Sequence, residues 1–307
     1  MRRIALLLLL VAHTTLSTAQ TTRPAAGQGI PESLGEVRDD RLTEVSGIAA
    51  SRRNPGCYYV HNDSGDQPRV FLIGRDGATR LVINLTGAAA VDYEDIALVP
   101  AADVPGRFDV CVADIGDNRA RRPDLTIYRF PEPALADTKE PAISVKPTAY
   151  RFRYADGPAN AEAWFVDPRT GDGYIVTKAE DGVCGVYKLP APWPTEGVTT
   201  LPRLLTLTLP PGAVTARVVT AADMSPDGRR LALRCYVNGW EWRLPAKADG
   251  AQLVRVLATP PTRLLLAPES QGEAICYAAD GSALLTVSEG RHPLLYELQL
   301  APTDSAP

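Results

Sequence analysis

Tyr128-Arg129-Phe130-Pro131 returns as Tyr187-Lys188-Leu189-Pro190 and again as Trp242-Arg243-Leu244-Pro245, and these three segments decide the fold. Each is an aromatic, a variable residue and an apolar residue closed by proline, the pattern of a short strand with alternate side chains on opposite faces and a stop at its end. Shorter versions stand at Phe71-Leu72-Ile73 and Tyr296-Glu297-Leu298. The aromatics fall at 71, 128, 187, 242 and 296, giving intervals of 57, 59, 55 and 54 residues. Self-similarity at a near-constant spacing marks a repeat architecture.

Upstream of each aromatic lies a second unit: Glu44-Val45-Ser46-Gly47-Ile48, Asp92-Tyr93-Glu94-Asp95-Ile96, Asn160-Ala161-Glu162-Ala163-Trp164, Thr220-Ala221-Ala222-Asp223-Met224 and Gln271-Gly272-Glu273-Ala274-Ile275. Polar first and third places with an apolar fifth predict a strand. Between the two units runs a third apolar segment, at 58–63, 110–114, 174–178, 231–236 and 284–289, and a fourth follows at 80–85, 149–154, 204–209 and 253–257. Turn signals at Asp76-Gly77, Asp172-Gly173, Asp227-Gly228 and Asp280-Gly281 separate them. Four short strands per repeat predict an all-β chain, a β-propeller of five four-stranded blades spanning 34–300. Six blades and a two-sheet sandwich are the alternatives. The fifth repeat lacks an outer strand, which Leu34 to Val37 can supply, closing the ring with both chain ends and removing an exposed sheet edge.

Arg2 and Arg3, the apolar run from Ile4 to Val11 and Ser17-Thr18-Ala19 read as a signal peptide over 1–19. A linker at 20–33 and a disordered tail at 301–307 flank the propeller. No later window is apolar enough for a membrane span, so a soluble, exported monomer is expected, periplasmic or extracellular. The five cysteines share no CxxC spacing and sit mostly in strand-like runs, where buried free thiols are expected. With 32 basic against 36 acidic residues and no basic run, nucleic acid is not an expected partner. Phosphate-cradling loops, a GxSxG elbow and paired histidines are missing too, which removes nucleotide, serine-hydrolase and zinc chemistry.

Ser225-Pro226-Asp227-Gly228-Arg229-Arg230-Leu231-Ala232-Leu233 resembles the repeat signature of TolB-like and WD-repeat-like bacterial propellers. Glu44-Val45-Ser46-Gly47-Ile48-Ala49, His61-Asn62-Asp63-Ser64-Gly65, Glu94-Asp95-Ile96-Ala97 and Asp114-Ile115-Gly116-Asp117-Asn118 together resemble a group of exported bacterial propellers. The Ser-Gly-Ile and Glu-Asp-Ile-Ala units are more loosely similar to SdiA-regulated and esterase-like phytase propellers. The resemblance implies a propeller with a calcium site and names no substrate. Ala222 departs from it, standing where the neighbouring repeats carry Glu.

In a propeller the inner-strand starts and second-strand ends share one face around the axis. Glu94, Glu162, Glu273 and Asp92 are therefore the candidate metal ligands, with Ca²⁺ as the oxygen-loving occupant. Hydrogen bonds to neighbouring strands, or to Lys178 and Arg234, are the other use for those carboxylates. Candidate ligand-binding residues are Asn62, Asp63, Asp114, Lys178, Arg234, Tyr236, Trp240 and Glu289, and His61 is the weak candidate for a catalytic base. Two functions follow: a binding propeller for a protein, peptide or glycan over a carboxylate-lined funnel with structural calcium, or a calcium-dependent hydrolase of the lactonase or phosphoesterase kind.

Overall fold

Five runs of mostly small and β-branched residues, Val45–Ala50, Tyr93–Pro100, Ala161–Val166, Val219–Met224 and Gly272–Tyr277, form a ring in which each strand packs beside those of its two neighbours. They are the innermost strands of five blades in a computed structural model that describes residues 28–269 and 271–301. The expected signal peptide, the linker up to residue 27 and the tail from 302 lie outside the described residues. Successive strands build each blade outward. Blade 1 adds Cys57–Asn62, Arg69–Gly74 and Thr79–Leu85; blade 2 adds Phe108–Asp114, Leu125–Pro131 and Thr148–Tyr154. Blade 3 adds Gly173–Thr177, Val183–Leu189 and Arg203–Thr208; blade 4 adds Arg230–Cys235, Gly239–Arg243 and Thr262–Leu264.

Blade 5 adds Ala283–Ser288 and Leu294–Gln299, and its outer strand is Glu32–Glu36, antiparallel to Leu294–Gln299 with Glu32 opposite Glu297. The closing strand thus starts two residues before the predicted 34, and Gly29 N–H already bonds the Gln299 carbonyl at 2.9 Å. Two outer edges gain a fifth, parallel strand from the following blade's connection: Ala142–Val145 on blade 1 and Thr199–Leu201 on blade 2. Both cover backbone that would otherwise be free to pair with another chain.

The inner strands are buried on both faces, because a blade is covered by a neighbour on each side. Separate apolar clusters fill the gaps between blades, for example Phe71, Val60 and Val287 between blades 1 and 5. Phe71, Tyr128, Tyr187 and Trp242 belong to these gaps, while Tyr296 is only half-buried. Phe71, Tyr128, Tyr187 and Tyr296 each pair with the residue two places before the one opposite the inner strand's start. In blade 4 that place belongs to Trp240, opposite Leu233, and not to Trp242, opposite Leu231. Its inner strand is displaced likewise, so Thr220, not Ala222, corresponds to Ser46 and the three glutamates. A shift of two residues keeps every side chain on its own face, so alternation alone cannot detect it.

Two further expectations are corrected. The segment 253–257 is helical, part of Gly250–Leu257, and blade 4 takes Thr262–Leu264 as its outer strand instead. Asp249 and Gln252 form a reciprocal capping box, and Leu253 and Leu257, one turn apart, face the core. Asp172-Gly173 is not a turn: positive φ falls at Gly171, while Gly173 starts a strand where the Trp164 ring leaves no room for a Cβ. All five cysteines are free and buried. No helix among the described residues is long and apolar enough to cross a membrane.

Candidate functional site

Every inner strand carries an irregularity one residue after its start. Pairing with the second strand skips Ser46, Glu94, Glu162, Thr220 and Glu273, a bulge repeated in all five blades. Bulges break the strict alternation of a strand and re-aim one side chain, which is how a strand covered on both faces can send a polar group toward the axis. Ser46 Oγ donates to the Glu94 carbonyl at 2.7 Å and Thr220 Oγ1 to the Gly272 carbonyl at 2.9 Å, each tying its blade to the next. Those two hydroxyls are structural. The three glutamates carry no comparable bond to a neighbouring strand.

Directly above them, the residues that follow each second strand make the rim: Asp63, Lys178, Tyr236 and Glu289, with buried Ile115 at the fifth place. Lys178 Nζ donates to Glu162 and to the Tyr236 hydroxyl, the latter at 2.7 Å, and lies 4.9 Å from the Tyr236 ring centroid. The Gln271 amide donates to Glu289. Asp63, Asp92 and Glu94 each offer a carboxylate oxygen, and the three oxygens lie within 4.8 Å of one another. Gly116 is pressed against this group, and a Cβ there would collide with the Asp92 and Glu94 carboxyls. Asp114 holds the loop in place by accepting from Val91 N–H and Asp92 N–H and pairing with Arg122 at 2.7 Å.

The charges of these groups act on one another. Burial, then Asp63, pushes the Asp92 carboxyl up to about 6. Glu94 stands well above the usual carboxylate range through burial and then Glu162. Glu162 is pushed up to about 7 by burial against the pull of Lys178, and Glu273 to about 9 by burial and then Glu162. For Glu273 the folded state holds a proton that the unfolded chain releases near 4.5. Its contribution therefore falls as pH rises from about 4.5 to about 9 and is level beyond. Glu273→Gln should raise the melting temperature of metal-free protein at pH 8 and leave it nearly unchanged at pH 4. A pH-independent difference between the two proteins would contradict this.

Below these groups a side chain crosses the axis. Asp95, from blade 2, accepts from Trp164 N–H of blade 3 at 2.9 Å and Ala222 N–H of blade 4 at 3.1 Å, as well as from Ile96 N–H at 2.9 Å. A side chain that reaches both of those blades lies on the axis and stoppers the funnel. Asp223 extends the stitching, taking Tyr277 N–H of blade 5 at 2.7 Å. Neither carboxylate was singled out from the sequence, although Asp95 stands beside Glu94 in an apolar strand, an unusual place for a second acid.

Several candidate residues serve the scaffold. Asn62 Oδ1 caps Thr43 and Glu44 N–H, and its amide bonds the Arg41 carbonyl and Asp66. His61 is wholly enclosed, edge-on to Tyr93, with Nδ1 on the Asn62 carbonyl and Nε2 unpartnered, so it does not face the funnel. Arg234 is buried between blades 4 and 5 on Glu269 at 2.7 Å, and Trp240 lies in the core between blades 3 and 4. Asp63, Lys178, Tyr236 and Glu289 remain at the rim.

The donors around Asp63, Asp92 and Glu94 fit a hard divalent cation, for they are all oxygen and the Glu94 carboxyl has only the Ser46 hydroxyl, at a distant 3.5 Å. Glu162, engaged by Lys178, and Glu273, beside Glu289 and Gln271, stand outside that group.

Many solved structures resemble the fold, among them these two. One is the PQQ-bound form of an aldose sugar dehydrogenase from Streptomyces coelicolor, 12% identical, covering 91% of this chain and 100% of that one with a TM-score of 0.46. The other is a gluconolactonase from Xanthomonas campestris, 14% identical, covering 93% and 99%, with a TM-score of 0.45. Likeness at this level carries no argument for the chemistry of the funnel. No protein-family model matches the chain, and no curated protein matches it.

Proposed function

We propose that this protein is an exported binding propeller whose funnel holds one Ca²⁺ between Asp63, Asp92 and Glu94 and receives its ligand there. The observation that carries this reading is the convergence of three carboxylate oxygens within 4.8 Å, one of them on a buried side chain with no good partner. Like charges so close are costly in a low-dielectric setting unless protonated or compensated. The cation supplies that compensation and coordination positions for a ligand. Asp114 and Asn62 hold the two loops that present Asp92 and Asp63, and Gly116 leaves the space. Export rests on the expected signal peptide and on the resemblance to exported propellers. Binding is favoured over hydrolysis because His61, the candidate base, is enclosed between blades.

The expected result is a Ca²⁺-dependent rise in melting temperature that EDTA reverses and that Asp92→Asn with Glu94→Gln removes, since a ligand stabilises the state that binds it. An unchanged melting temperature across saturating Ca²⁺ contradicts the reading. Lactone or phosphoester turnover that stops with chelator would keep the cation and replace binding by hydrolysis.

A further inference from the structure

Beside the three carboxylates, blades 3 to 5 bring Lys178, Tyr236 and Glu273 to the funnel together with Glu162 and Glu289. Lys178 is the one basic side chain among the five equivalent rim places, which otherwise hold Asp63, Ile115, Tyr236 and Glu289. An ammonium has three N–H donors. Glu162 takes one and the Tyr236 hydroxyl a second, so the third has no partner among the described residues. The pair is fixed in place: the Glu162 side chain is 6% exposed and the ammonium lies over the Tyr236 ring. Glu273 of blade 5, buried and reached only by the Gln271 amide at 3.5 Å, adds a second group without a satisfactory partner.

Blades 1 and 3 stand two places apart in a ring of five, as far as two blades of such a ring can be. Lys178 therefore looks across the axis at Asp63, with Asp95 closing the floor. We infer that the funnel takes a ligand bearing an oxyanion, a carboxylate or a phosphate, held between the cation at Asp63, Asp92 and Glu94 and the free donor of Lys178. This rests on the cation reading above. Without the cation the surrounding carboxyls repel an anion, so oxyanion binding is conditional on Ca²⁺, and by linkage each tightens the other.

The test is calorimetric titration of the full chain with inorganic phosphate and, separately, acetate, each with and without Ca²⁺. Saturable binding is expected only with Ca²⁺, and the better of the two anions identifies a phosphorylated or a carboxylated ligand. Lys178→Met should weaken anion binding by about tenfold or more, the loss of a charge-assisted hydrogen bond, while Ca²⁺ binding persists. The double variant Lys178→Met with Glu162→Gln removes the charge pair together and should behave the same way, separating lost recognition from misfolding. If Ca²⁺ binds but neither anion does, or if Lys178→Met binds them as the unmodified chain does, the oxyanion inference fails and the cation reading stands. If Ca²⁺ itself does not bind, both fail.

Discussion

Asp95→Ala is expected to lower the melting temperature by about 10–20 °C, the larger of the two scaffold effects. Its carboxylate accepts from Ile96, Trp164 and Ala222 N–H, so one side chain satisfies backbone donors of three inner strands. Removing it leaves three donors in a space that water enters poorly. Each orphaned buried donor costs about 1–3 kcal/mol, and a domain of this size loses about 2–4 °C per kcal/mol. Burial pushes the Asp95 carboxyl well up, against the pull of the Trp164, Ala222 and Ile96 N–H groups. Asp95→Asn, which keeps one carbonyl oxygen, should lose clearly less than Asp95→Ala. A shift of only a degree or two in Asp95→Ala would show that the axis does not depend on this staple.

Glu269→Ala is the second large effect, with a loss of about 3–5 kcal/mol, the range for removing one partner of a buried ion pair. Arg234 and Glu269 are 1% and 4% exposed at the seam between blades 4 and 5, where Thr286 also donates to Glu269. The remaining Arg234 guanidinium could not reach water and would keep only the Ala274 carbonyl at 3.3 Å. Replacing both, as Arg234→Met with Glu269→Leu, should recover most of the loss, because two apolar side chains avoid burying a lone charge. Denaturant melts of the single and double variants measure this directly. A double variant no more stable than Glu269→Ala would mean that the pair is needed for more than mutual neutralisation.

The architecture was legible because propeller blades repeat, and repetition turns weak strand signals into a strong one. Period-two reading placed the outer strands of blades 1 to 3 within a residue or two, yet it slipped by two in blade 4, where Trp240 and Trp242 lie on the same face. Leu253 and Leu257 were read as a strand although Asp249 and Gln252 announce a helix start. At the site, equal spacing was enough to bring Glu94, Glu162 and Glu273 to one axis. It could not reveal that a bulge aims them there, that Asp63 joins Asp92 and Glu94, or that Lys178 already occupies Glu162. Arg234 illustrates the limit best, since its place beside the funnel residues in sequence hides the fact that it points between blades, toward a Glu269 that no repeat announces.

The central claim is that Asp63, Asp92 and Glu94 form one cation site, and calorimetric titration of chelator-treated protein with Ca²⁺ tests it most directly. The account predicts saturable binding with one ion per chain, lost in Glu94→Gln, while Glu273→Gln keeps it because Glu273 stands outside the group. No saturable heat, or binding that survives Glu94→Gln unchanged, would contradict it.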